Sequence, residues 1–128
     1  MNEHKGEKFR EEYAAKPDVK TTDSGLMYRI ESPGGERRPT ASDTVEVHYR
    51  GTLIDGTEFD SSWSRNRTAT FPLGGVIAGW TEGLQLIGEG GTIELVIPPD
   101  LAYGKRGSPG GIGPDETLIF HVDLIKIR

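Results

Sequence analysis

The stretch Thr44-Val45-Glu46-Val47-His48-Tyr49-Arg50 alternates residue by residue, with Val45, Val47 and Tyr49 on one face. A period of two marks a strand with one buried side. Residues 26–30, 92–97 and 117–127 repeat the pattern, and in the last of these Leu118, Phe120, Val122 and Leu124 face one way. Residues 70–73 read as a short strand, and Pro72 favours a sheet edge because it has no N–H to donate. Asp55-Gly56 is a hairpin turn signal between 52–54 and 57–59. Pro33-Gly34-Gly35 and Pro98-Pro99 each close a strand. One stretch departs from the period: Ile77, Trp80, Leu84 and Ile87 fall at i, i+3, i+7 and i+10, and Gly88 is a suitable helix stop. The pattern predicts an α+β domain, five or six antiparallel strands with one short helix packed on a sheet face.

Residues 1–20 read differently. They hold ten charges, five of each sign. Glu7/Glu11 and Glu12/Lys16 are i,i+4 pairs, one repulsive and one attractive, and Phe9 and Tyr13 would share one side of a helix. A helix over 2–15 is expected, ending before Pro17, since the residue preceding proline disfavours the α region. Two readings stay open: a frayed, solvated arm, or the tail of a longer helix leading to another domain or a dimer partner. The chain thus divides into a charged helical arm, 1–20, and a main domain, 21–128.

At 128 residues one domain is expected. A net charge of −5 argues against nonspecific binding to nucleic acid or an anionic membrane. The absence of cysteine excludes disulfides, thiolate metal sites and thiol catalysis. His4, His48 and His121 lack metal-ligand spacing, so no metal and no cofactor are expected. Gly88-Glu89-Gly90-Gly91 lacks the Lys-Ser/Thr of a phosphate loop, and no Gly-x-Ser-x-Gly elbow is present. No apolar run approaches the roughly 20 residues of a membrane span. Met1 to Lys5 show no apolar leader, so a cytoplasmic location is expected for the chain as it stands, and a periplasmic one if a leader was removed.

The remaining signal is a set of aromatic and aliphatic residues in five ordered motifs. These are Val47-His48-Tyr49-x-Gly51, Asp55-Gly56-x-x-Phe59-Asp60-Ser61-Ser62, Val76-Ile77-x-Gly79-Trp80-x-Glu82-Gly83-Leu84, Ile97-Pro98-x-x-Leu101-Ala102-Tyr103-Gly104 and Thr117-Leu118-Ile119-Phe120-x-Val122-x-Leu124. Taken singly, Trp80 reads as core, Tyr103 as a loop aromatic and Asp60 as a turn residue. In this order, over about two-thirds of the chain, they resemble the FKBP-type peptidyl-prolyl cis-trans isomerases. Ser24-Gly25-Leu26-Met27-Tyr28, Trp80 through Leu86 and Ile112-Gly113-Pro114 resemble the bacterial macrophage-infectivity-potentiator branch in particular.

The resemblance implies a sheet wrapped around one central helix and rotation about X–Pro bonds as the activity. It implies catalytic roles for Asp60, Tyr103 and Phe120. Substrate contacts would come from Tyr49, Phe59, Arg65, Phe71, Val76, Ile77, Trp80 and Ile112. Trp80 would form the pocket floor, with the Ile77 N–H and the Tyr103 hydroxyl as donors to substrate carbonyls. Asp60 would lie beside the rotating carbonyl, held by Arg65 and Tyr49. The loop 104–114, with five glycines and two prolines, would overhang the pocket. Partners would be proline-containing peptides, unfolded proteins and rapamycin-type macrocycles, with the chain a monomer. A binding module or chaperone without turnover is the alternative. Ala69, Ser108 and Gly111 stand where the family more often has an aromatic, a histidine and a branched aliphatic, which bears on macrocycle affinity and substrate preference.

Overall fold

A computed structural model describes residues 2–109 and 111–128; Met1 of the arm and Gly110 of the glycine-rich loop lie outside the described residues. The chain runs α1 (Asn2–Ala14), β1 (Lys20–Thr21), β2 (Met27–Ser32), β3 (Thr44–Thr52), β4 (Glu58–Ser61), β5 (Ala69–Pro72), α2 (Ala78–Gly83), β6 (Thr92–Ile97) and β7 (Leu118–Ile127). The strands form one antiparallel sheet in the order β1-β2-β6-β7-β3-β4, with β5 also paired to β3. The expected α+β architecture, a sheet around one short central helix, is what forms. The sheet has seven strands because the two-residue β1, which carries no periodic signal, adds to the edge of β2.

The alternating faces predicted for β3 and β7 are the buried ones: Val45, Val47, Tyr49, Leu118, Phe120, Val122 and Leu124 all enter the core. In β7 the register with β3 shifts between Glu46 and Val47, which leaves Ile125 as the extra residue. A bulge of this kind reverses the phase, so Ile125 is exposed while Ile127 is buried. β3 is longer than its alternation suggested. It runs unbroken to Thr52 before the turn at Gly56, whose φ of 90° suits glycine.

The helical stretch is shorter than its spacing implied. α2 is six residues, followed by a 3₁₀ turn over Leu84–Leu86. Two glycines let it lie directly on the sheet. A methyl group added at Gly79 would come within 2.6 Å of the Ile97 side chain, and one at Gly83 within 2.5 Å of Leu95. Ile97 is fully buried and β-branched, so it has little freedom to yield. Replacing Gly79 by Ala is therefore expected to destabilise the domain by up to about 2 kcal/mol. Overpacking costs about 1–3 kcal/mol, against a helix-propensity gain of about 1 kcal/mol. Urea unfolding measures it.

α1 packs against the domain. Tyr13 is only 4% exposed, and its hydroxyl donates to Glu94 Oε1 at 2.9 Å. Arg10 donates to the Thr117 hydroxyl. Phe9 and Tyr13 do share one side, their rings 6.3 Å apart. The residues that the sequence left between solvated arm and longer helix are thus anchored on β6 and at the entry to β7. No helix among the described residues is long and apolar enough to cross a membrane.

Candidate functional site

Five aromatic rings from five elements converge on one spot. β3 brings Tyr49, the start of β4 brings Phe59, β5 brings Phe71, α2 brings Trp80 and β7 brings Phe120. Trp80, 4% exposed, meets Tyr49, Phe71 and Phe120 at 5.2, 5.6 and 5.3 Å between ring centres, each nearly perpendicular. Edge-to-face packing is the arrangement that ring quadrupoles favour. Phe59 stands against Phe120 in the same way at 5.5 Å. That pair is possible because a glycine lies beneath it: a methyl at Gly51 would fall 2.6 Å from Phe59 and 2.8 Å from Phe120.

These rings enclose a cavity of about 470 Å³, lined also by Asp60, Gly75, Val76, Ile77 and Tyr103. Nine of the eleven residues singled out in the sequence meet there. Ile77 precedes α2 with an extended backbone (φ −59°, ψ 149°), so its N–H has no helical carbonyl behind it. Tyr103 is 40% exposed, and its hydroxyl makes no hydrogen bond to another described residue. The Trp80 indole N–H is buried and likewise unpaired among the described residues.

Asp60 is the one acid in the cavity wall. Tyr49 Oη donates to its Oδ2 at 2.5 Å, Arg65 Nη1 to its Oδ1 at 2.6 Å, and the Ser61 N–H to Oδ1 at 2.9 Å. Arg65 Nη2 also donates to Tyr49 Oη at 3.0 Å. Burial opposes ionisation of Asp60, but the hydrogen bonds from Tyr49 and Arg65 outweigh it and hold the carboxyl below its ordinary value. The Tyr49 phenol is pushed the other way, first by burial and then by the Asp60 carboxylate. The site therefore presents an ionised, oriented carboxylate at the edge of an aromatic basin.

Two expected substrate contacts do not line the cavity. Arg65 stands behind Asp60 on the turn Trp63–Arg65 and acts on the carboxylate. Ile112 is partly buried against the core, its loop pinned by a bridge to Ser108. Gly75 lines the cavity and was not singled out, since a glycine before a helix carries no chemical signal of its own.

The sequence profile described as FKBP-type peptidyl-prolyl cis-trans isomerase matches residues 35–125, the segment that supplies every wall of this cavity. The chain belongs to the FKBP-type peptidyl-prolyl cis-trans isomerases. A second profile, for the domain amino terminal to FKBP-type isomerases, matches residues 1–30. The chain is 53% identical over 127 residues to the FKBP-type isomerase FkpA of Escherichia coli, covering 99% of this chain and 47% of the relative. It is 47% identical to the peptidyl-prolyl cis-trans isomerase Mip of Coxiella burnetii, covering 99% and 55%. The chain thus spans about half the length of these relatives.

The crystal structure of Escherichia coli FkpA superimposes with a TM-score of 0.97 over 99% of this chain and 59% of that one, at 53% identity. A peptidyl-prolyl cis-trans isomerase from Pseudomonas syringae pv. tomato gives 0.91 over 98% and 92%, at 37% identity. Within this FKBP-type domain, the departure at Gly111 has a conformational reason. Its φ of 112° is a backbone state that a branched side chain rarely adopts.

Proposed function

We propose that this chain accelerates cis-trans rotation about X–Pro bonds in peptides and unfolded protein segments. The observation that supports this most is an aromatic cavity with an ionised carboxylate at its rim and the Tyr103 hydroxyl, unpaired among the described residues, beside it. The X–Pro bond rotates over a barrier of roughly 18–20 kcal/mol set by amide resonance. Rotation breaks no σ-bond, so neither nucleophile nor metal is required. The planar amide is charge-separated and favoured by water, whereas the twisted state has lost conjugation and is less polar. An apolar basin therefore favours the twisted state over the planar one.

In this reading Trp80 seats the prolyl ring, and Tyr49, Phe59, Phe71, Val76 and Phe120 wall it. The Ile77 N–H and the Tyr103 hydroxyl donate to substrate carbonyls, and Asp60 lies beside the rotating carbonyl. A 10⁵-fold acceleration corresponds to about 7 kcal/mol, which water exclusion, orientation and two hydrogen bonds supply together. Rapamycin-type macrocycles are proposed ligands of the same cavity.

A protease-coupled assay on Leu-Pro and Phe-Pro peptides tests the proposal. Acceleration at micromolar protein or below is expected. Binding without acceleration would leave only a module that holds proline-containing segments.

A further inference from the structure

Ser62 is fully buried, and each of its polar groups engages a segment that builds the carboxylate site. Its N–H donates to the Tyr49 carbonyl at 2.9 Å. Its hydroxyl oxygen accepts the Tyr49 N–H at 2.7 Å and lies 2.7 Å from His48 Nδ1. Its carbonyl accepts the Arg65 N–H at 3.1 Å, which starts the turn carrying Arg65.

The topology explains why one residue does all this. One side of β3 is paired by β5 from Thr44 to Val47 and by β4 from Arg50 to Thr52. Tyr49 falls at the changeover, where no strand residue is available for its N–H. The Ser62 side chain takes that place in the ladder. The hydroxyl also reaches the Tyr49 carbonyl as a donor at 3.3 Å, which leaves the oxygen's lone pairs for the Tyr49 N–H. Trp63 stacks on His48 at 5.0 Å and 11°, which holds the imidazole plane.

Asp60 lies two residues before Ser62 and Arg65 three after it, so a single buried anchor fixes the spacing of Tyr49, Asp60 and Arg65. We propose that Ser62 is a positioning residue: its hydroxyl, oriented by His48, sets the separation at which Tyr49 and Arg65 grip the Asp60 carboxylate. Its effect on catalysis rests on the isomerase reading above; the positioning does not.

The test compares wild type with Ser62→Ala and Ser62→Cys. The alanine variant leaves the Tyr49 N–H unpaired in a dry site. The cysteine variant keeps most of the volume but offers a weak acceptor. Three readouts are taken: urea unfolding, kcat and KM on a Phe-Pro peptide, and the Asp60 carboxyl titration by NMR. In Ser62→Ala, kcat/KM is expected to fall roughly tenfold, with the loss in kcat and KM within about twofold of wild type. The Asp60 midpoint moves up toward the ordinary aspartate value of about 3.9, and Ser62→Cys falls between. If the alanine variant does not fold, the cysteine variant carries the comparison.

A folded variant whose Asp60 titrates as in wild type overturns the proposal, whatever its rate. Should the wild-type protein accelerate no peptide, the isomerase reading fails, and the Asp60 titration alone then decides the role of Ser62.

Discussion

Replacing Asp60 by Ala is expected to reduce isomerase activity roughly tenfold to a hundredfold, about 1.4–2.7 kcal/mol of transition-state stabilisation, while the domain stays folded. The carboxylate is 40% exposed, so its ion pair with Arg65 contributes little to stability. Its orientation is nonetheless fixed from three sides, by Tyr49, Arg65 and the Ser61 N–H. A preorganised charge acts on a reacting group without reorganising during the reaction. Peptide kinetics and urea unfolding on the same preparation separate the two effects. An alanine variant with full rate would show that the carboxylate is a structural turn residue.

The same geometry sets a pH dependence. The Asp60 pKa is lowered in the folded state, so the native protein binds this proton less tightly than the unfolded chain. Any stability the group contributes is complete above the ordinary aspartate value of about 3.9 and is lost as pH falls through the lower native value. In the proposed mechanism, activity is expected to follow the ionised form. The acid limb of the rate profile is expected below that ordinary value, and removing Arg65 or Tyr49 as donors moves it up.

The second large effect is at Trp80. Truncation to Ala is expected to destabilise the domain by about 3–5 kcal/mol, a large fraction of the 5–15 kcal/mol that holds a typical domain together. The indole supports three rings at 5.2–5.6 Å, so its loss removes both the floor and the fixed positions of the walls. Trp80→Phe is the informative companion. It keeps an aromatic floor and deletes the buried, unpaired N–H, whose desolvation costs about 1–3 kcal/mol. It is therefore expected to lose much less stability than the alanine variant and to retain measurable activity. Equal loss in both variants would mean that the ring's shape, rather than its aromatic surface, is what the cavity needs.

Much of this was legible in the residues themselves. The alternation of β3 and β7 is a direct consequence of burying one sheet face, so Val45, Val47, Phe120 and Val122 could be assigned inward before any fold was known. The convergence of Tyr49, Phe59, Phe71, Trp80 and Phe120 could not be read from periodicity, because each ring taken alone is an ordinary core residue; the ordered motifs, and for Phe71 the family resemblance they carry, brought them together. β1 escaped notice because two residues, Lys20 and Thr21, carry no period. The phase reversal at Ile125 was hidden because a bulge is set by pairing with β3 and not by the sequence of β7. The length of α2 was overestimated because apolar spacing continues through a 3₁₀ turn. Ser62 was visible only as part of a turn-prone Asp-Ser-Ser, since its role comes from the gap between β4 and β5.

The proposed function rests on an aromatic basin over Trp80 that seats a prolyl ring and eases rotation of the preceding amide. Exchange NMR on a peptide with one Phe-Pro bond, in the presence of catalytic amounts of the protein, tests it most directly. It reads both the cis-trans exchange rate and the proton contacts between the prolyl ring and the Trp80 indole. The account predicts exchange much faster than the tens to hundreds of seconds of the free bond, together with contacts from the prolyl ring to Trp80. Exchange at the uncatalysed rate with the ring seated there, or fast exchange with the ring elsewhere, would contradict it.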